Sequence, residues 1–223
     1  MSIQITIDGP AGAGKSTIAK KLAQKLKIKY LSSGLFYRGI AYEALKYSIK
    51  PDDSENLILL VKNLDMYFEN NRLVINGEDV QDKLNHEDIN KNVSVYCLNE
   101  KVRSLVSDKI RKIAYNNDII LDGRDIGSKV LPNATIKFYL TASMSIRAKR
   151  RYDQLLKKNA DIELNTVLDQ IRLRDDQDMN REVDPLVIPE GAIMINSTNM
   201  SVEEVVDKMV NYLTMKGVMI LER

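Results

Sequence analysis

Residues 3–17 read IQITIDGPAGAGKST: an apolar run, an acid, then a glycine-rich loop closing on Lys15, Ser16 and Thr17. The apolar run predicts a short buried strand over 3–7. Lys15–Leu26 predicts a helix, with Ile18, Ala19, Leu22 and Leu26 on one face. Between them Gly9, Gly14, Lys15 and Ser16 satisfy the spacing G-x-x-x-x-G-K-S/T. Such a loop turns backbone N–H groups inward around phosphate oxygens, with lysine reaching the β/γ-phosphates and the serine hydroxyl reaching Mg²⁺. The helix that follows adds its positive N-terminal end. Residues 9–17 (Gly9, Pro10, Ala11, Gly12, Ala13, Gly14, Lys15, Ser16 and Thr17) are therefore the candidate binding loop for a nucleoside triphosphate such as ATP. The loop does not say where the phosphate goes.

The rest of the chain alternates. KYLSSG (29–34) predicts a strand running into a turn, and helices follow over 36–45 and 54–63. DMYFENNRLVINGEDV (65–80) changes character: β-rich runs and an Asn76-Gly77 turn predict a small inserted antiparallel sheet. Helices near 86–97 and 99–115 come next. Strands at 118–122, 135–140 and 192–196 then alternate with helices over 143–156, 162–178 and 201–215, with a proline-bearing loop at 182–190. The fold class is α/β, with a mainly parallel sheet covered on both faces.

Composition removes several function classes. With 44% hydrophobic and 29% charged residues, a 223-residue chain has material for a sizeable core. A net charge of only +2 gives no global field for nucleic acid, so no nucleic-acid partner is expected. Cys97 and His86 are each the sole residue of their type, which leaves no disulfide, triad or histidine metal centre. No stretch is apolar enough for a membrane span, and no basic-then-apolar leader precedes the first strand, so a cytoplasmic protein without membrane partner is expected.

Four further stretches carry candidate chemistry, each with a plainer alternative. Tyr37 and Arg38, in SSGLFYRG, sit near a helix start; Arg38 clamps a second phosphate or is a solvated arginine beside a core tyrosine. LDGRDIG (121–127) follows a predicted strand. It thus places Asp122, Arg124 and Asp125 at the carboxyl end of the sheet, where α/β folds bind ligands. Asp122 then meets the water shell of Mg²⁺; the alternative is an Arg–Asp pair closing a loop. Arg147, Arg150 and Arg151 share one helical face, as an anion site or as solvated charge. Arg174, Asp178 and Arg181 share another, which is also the spacing of a simple salt-bridge ladder.

Together these stretches resemble the bacterial cytidylate (CMP/dCMP) kinases, nearly end to end. GPAGAGKST, SGLFYR, NGEDV, VRSL, LDGRDIG, LTAS, IRAKRRYDQL, RDDQDMNREVDPL and NSTNMSVEEVV follow the family's order and spacing. The resemblance implies a P-loop three-layer α/β/α kinase with a five-stranded, mainly parallel core over about 1–35, 104–146 and 161–223. It implies a monophosphate-binding part over about 36–103, enlarged by an insertion at about 63–103, and a helical lid over about 147–160. Lys15, Arg147 and Arg151 would be catalytic. Ser33, Tyr37, Arg38, Ser94, Arg103, Arg124, Asp125, Arg174, Asp178 and Arg181 would bind CMP. Within that set Ser33, Arg38, Arg124 and Arg181 hold its phosphate; Ser94, Arg103 and Asp125 read the cytosine; Arg174 and Asp178 contact the sugar. Ser16 would reach Mg²⁺ directly and Asp122 through water. The implied activity is transfer from ATP to CMP or dCMP by a monomer.

The sequence departs from the family at Ser32-Ser33, where Asp-Thr or Asp-Ser is usual, and at Asn85, where arginine is common. A kinase for UMP or shikimate remains open, as does a P-loop ATPase or switch. A GTPase switch is disfavoured because no N-K-x-D stretch occurs.

Overall fold

A computed structural model describes residues 2–69, 72–157 and 162–218, apart from the side chains of residues 85, 87 and 90. Residues 70–71 of the expected insertion, 158–160 of the expected lid, and 161 and 219–223 of the expected core lie outside the described residues, as does the Asn85 side chain. The described residues form two compact units, one of residues 3–30 and from 119 onward, the other of residues 31–118 with Ser2.

A sheet ordered β2-β6-β1-β7-β8 is formed by strands Gln4–Asp8 (β1), Lys29–Ser32 (β2), Ile119–Gly123 (β6), Ile136–Thr141 (β7) and Ile193–Asn196 (β8), all in the first unit save Leu31 and Ser32. β1 pairs in parallel with β6 and β7, and β7 in parallel with β8. Both faces of β1 are buried, as a central parallel strand requires. Ile5 and Ile7 point into a core shared with Phe138, Leu140 and Ile195 and with two helices. These are Lys15–Leu26 (α1), through Ile18, Leu22 and Leu26, and Val202–Met215 (α8), through Val205, Val206, Met209 and Leu213. The helical periodicity read in the sequence is the stripe that packs. A Ser201–Glu204 capping box starts α8. Helices Met144–Leu156 (α6) and Leu164–Asn180 (α7) pack on each other through Ala148, Val167 and Ile171.

The second unit holds helices Ser33–Lys46 (α2), Ser54–Asn63 (α3), Glu87–Tyr96 (α4) and Glu100–Ala114 (α5), with a three-stranded antiparallel sheet. Its strands are Met66–Glu69 (β3), Arg72–Ile75 (β4) and Glu78–Asp79 (β5). Asn76 and Gly77 both have positive φ, 50° and 81°, and close the two-residue hairpin that pairs Ile75 with Glu78. The turn expected at Gly34 is absent. Ser32 is still extended at φ −103°, ψ 120°, and Ser33 is already helical, so strand passes to helix in one step. The basic turn after β6 is a π-helical turn, Ile126–Val130.

Candidate active site

The loop between β1 and α1 is shaped by contacts on every side. Gly9 has φ +147°, and a Cβ there would stand 2.0 Å from Leu140 O, so only glycine lets the loop leave β1 against β7. Lys15 is buried and donates to Gly9 O (2.7 Å) and Pro10 O (2.8 Å), folding its ammonium inside the loop. Burial pushes this ammonium well below the ordinary lysine value and Arg124 adds to the effect, while Asp122, Asp178 and Asp8 pull it back up. A polyphosphate in the loop would reinforce those carboxylates and hold the charged form.

Asp122, at the end of β6, accepts from Ser16 Oγ at 2.8 Å and from Tyr30 Oη at 2.7 Å. A hydroxyl beside a carboxylate is an all-oxygen donor set, the chemistry that suits Mg²⁺. Asp8, at the end of β1, is fully buried and accepts from Ile126 N (2.9 Å) and Gly127 N (2.7 Å), which pins the turn after β6. Burial raises its carboxyl to about 6 against the pull of those two N–H groups, and Asp125 adds to the rise.

Beside the loop, at the same carboxyl end of the sheet, where Asp8 of β1 stands opposite Gly123 of β6, Asp178 on α7 collects guanidinium groups. Arg124 Nε donates to Asp178 Oδ2 at 2.7 Å, Arg174 Nε lies 3.5 Å from the same oxygen, and Arg181 Nη1 lies 3.7 Å from Oδ1. Arg181 also reaches Asp125 Oδ1 at 3.5 Å and donates to Asp184 O at 2.6 Å. A helical ladder would have used α7 alone; Arg124 joins from the loop after β6. Burial works to raise Asp178, but Arg124, Arg174 and Arg181 outweigh it and hold the carboxyl below its usual value. Three guanidiniums against two carboxylates leave an excess of positive charge, and this suits a phosphate.

The arginines of α6 divide. Arg147 is buried rather than set on an open lid: Nε donates to Ala142 O, and Nη1 to Ala11 O and to Asp175. Arg150 donates to Ser197 Oγ (3.0 Å) and Ser197 O (2.7 Å). Arg151 is exposed and pairs with none of the described residues.

In the second unit Ser33, Tyr37 and Arg38 lie in the first turns of α2, and Ser94 lies half-buried on α4. Arg103 on α5 is almost fully buried, with its guanidinium 5.4 Å from the Tyr37 ring centroid and Nη1 3.4 Å from Cys97 O. Tyr30 and Asp175 were not singled out by the sequence. The signal for Asp175 was present, since Val167, Ile171, Asp175 and Asp178 mark one buried stripe of α7. Tyr30 carried none beyond an aromatic in a short strand.

Strand, glycine loop, enclosed lysine and hydroxyl–aspartate pair define a P-loop phosphotransferase. A solved structure of an uncharacterized protein from Eubacterium ventriosum shares the fold, with TM-score 0.54 and 15% identity over 96% of this chain and 99% of that one. A family model described as cytidylate kinase matches residues 5–215. A cytidylate kinase of Caldanaerobacter subterraneus subsp. tengcongensis is 42% identical over 93% of this chain and 93% of its own. One of Clostridium acetobutylicum is 44% identical over 97% of this chain and all of its own. The chain belongs to the cytidylate kinase family and is an enzyme of ATP-dependent phosphoryl transfer to nucleotides. Among the described residues no helix is long and apolar enough to cross a membrane.

Proposed function

We propose that the protein phosphorylates CMP and dCMP with ATP, giving ADP and CDP or dCDP. The observation that carries this reading is the guanidinium excess around Asp178, within electrostatic reach of the loop lysine. The loop leaves β1 after Asp8 and Arg124 follows Gly123 of β6, its parallel register partner, so donor loop and acceptor arginines start from neighbouring strand ends.

An oxygen of the acceptor phosphate attacks the γ-phosphorus of ATP while the bond to the β,γ-bridging oxygen breaks. An ionised phosphate needs no strong general base, and the site accordingly asks for positioning and charge neutralisation. Residues 9–17 hold the donor phosphates through backbone N–H groups. Lys15 and Arg151 neutralise charge on the transferred group. Ser16 through its hydroxyl and Asp122 through water would hold Mg²⁺, which would supply charge neutralisation on the donor phosphates. Ser33, Arg38, Arg124 and Arg181 are assigned to the acceptor phosphate, and Arg174 and Asp178 to its sugar, as the family resemblance implies. Asp125, Ser94 and Arg103 are assigned to the base, and Tyr37 to CMP binding. Arg147 positions the loop. The stretch of about 147–160, with the buried Arg147 as its fixed root, acts as a lid that excludes water. One chain carries both donor loop and acceptor arginines, which supports a monomer.

The test is ADP formation from ATP with CMP, dCMP, UMP, AMP and GMP in turn. Turnover with CMP and dCMP is expected; ATP hydrolysis indifferent to all of them would sink the reading.

A further inference from the structure

The crown of the phosphate loop is held from outside by α6 and α7. Asp175 on α7 accepts from Ala11 N through Oδ1 at 3.0 Å and from Arg147 Nη1 through Oδ2 at 2.5 Å. Arg147 Nη1 also donates to Ala11 O at 2.9 Å, while its Nε donates to Ala142 O at 3.0 Å. Both backbone polar groups of Ala11 are thereby taken by side chains from the two helices. Asp175 is 3% exposed and Arg147 6%. The next residue shows how tight the approach is. Gly12 has φ +72°, and a Cβ there would stand 3.0 Å from Arg147 O and 3.1 Å from Arg147 Cβ.

A buried ion pair is weak support for stability, because desolvating both charges offsets most of their attraction. Its value lies in geometry: breaking one partner strands the other, so the pair tolerates few arrangements. Here the loop backbone it satisfies is that of Ala11, flanked by the N–H groups assigned above to a nucleotide's phosphates. We infer that Arg147 and Asp175 are positioning residues forming a latch, which sets the phosphate loop for its nucleotide and ties that setting to the α6–α7 pair. This rests on the reading of residues 9–17 as an ATP site. The latch lies in the first unit and touches none of the residues assigned to the cytosine, so its loss reaches the donor before the acceptor. Asp175→Asn removes the charge that Arg147 answers. Arg147→Lys keeps a charge but gives up the planar fork that serves three acceptors at once.

The experiment is calorimetric binding of ADP and, separately, of CMP to the whole chain, with a thermal melt of each variant. For Asp175→Asn and for Arg147→Lys, ADP affinity is expected to fall by about tenfold, the scale of one lost buried charged hydrogen bond, with CMP affinity unchanged. In steady state KM for ATP rises while KM for CMP stays. The double variant is expected to be no worse than the poorer single one, since both break one unit. Should one variant fail to fold, the other carries the same readout. Lowered melting temperature with unchanged ADP affinity overturns the latch, leaving a structural pair. Equal losses for ADP and CMP overturn it too. Failure of the unmodified protein to bind ADP instead sinks the ATP-site reading beneath it.

Discussion

Two neighbouring clusters of the first unit, the loop end at the start of α1 and the α7 end beside it, handle carboxylates in opposite ways. Around the phosphate loop Asp8, Asp122 and Asp175 each accept two hydrogen bonds from protein donors, and Lys15 is closed onto loop carbonyls. At the end of α7, Asp178 and Asp125 face three guanidiniums. The loop end is set by the protein's own bonds; the α7 end holds a positive excess that a dianion neutralises. A fixed donor site and an acceptor site completed by its substrate suit transfer between two phosphates, where misplaced charge costs more than missing bonds.

Removing the lysine strikes the loop end hardest. Lys15→Ala is expected to lower kcat by ~10²-fold or more, since charge developing on the transferred group loses its buried counter-ion. Near-normal turnover in a folded variant would move the chemistry away from the loop and break the comparison outright.

The α7 end is addressed through the base. Cytosine offers an amino donor where uracil offers a carbonyl, and a buried carboxylate can accept only from the first. Losing that hydrogen bond and facing a carbonyl oxygen instead costs ~1–3 kcal/mol, so CMP should be preferred over UMP by at least about tenfold. Asp125→Ala is expected to depress kcat/KM for CMP strongly and for UMP weakly, narrowing the ratio. A common factor for both substrates would assign Asp125 to holding Arg181, its partner at 3.5 Å, instead.

Acid separates the ends by sign. Folding raises Asp8 from 3.8 to about 6, so its contribution to stability is full below 3.8 and is lost as pH rises through about 6. Asp178 is held below its ordinary value, so its contribution is present above 3.8 and is lost as pH falls through the lowered value. The rise at Asp8 corresponds to about 3 kcal/mol across that window. Denaturant unfolding across that window should show the unmodified protein losing this amount relative to Asp8→Asn as pH increases. Asp178→Asn should differ with the opposite slope. Parallel profiles would show that Asp8 titrates as an ordinary carboxyl.

Much of the loop end was legible because its parts are contiguous: a strand, a fixed-spacing glycine loop and a helix stripe fall within Ile3–Leu26. Asp122 was legible because it ends a predicted strand. The role of Arg147 was not. Three arginines on one helical face look alike in sequence, and only packing buries one, anchors the second on Ser197 and leaves the third exposed. Asp175 and Asp176 are adjacent, and the helical period alone tells the buried from the exposed one. Gly34 was read as a turn because glycine after two serines is a turn signal. The strand's last residue instead serves as the helix's flanking residue, a choice made by the elements on either side.

Tyr30 gives the finest test of how firmly the loop end is set. Its hydroxyl donates to Asp122 Oδ1 while Ser16 donates to Oδ2, so the phenol fixes which oxygen is turned toward the serine. Tyr30→Phe keeps the ring in a site where the residue is 5% exposed, removing one hydrogen bond and little volume. The expected cost in stability is about 1 kcal/mol, because Asp122 keeps Ser16 as a donor. The functional effect should appear in metal dependence. With one oxygen released, the carboxylate gains a second orientation, and part of each binding event is spent restoring the first. The Mg²⁺ concentration for half-maximal turnover should rise by about two- to fivefold with kcat at saturating Mg²⁺ nearly intact, the kinetic face of that same cost. Mg²⁺ protection of ADP-bound protein against thermal unfolding supplies a readout independent of turnover, and it should shift by the same factor. If kcat falls and the metal midpoint stays put, Tyr30 acts through the loop lysine's surroundings, and the carboxylate at β6 does not owe its orientation to the phenol.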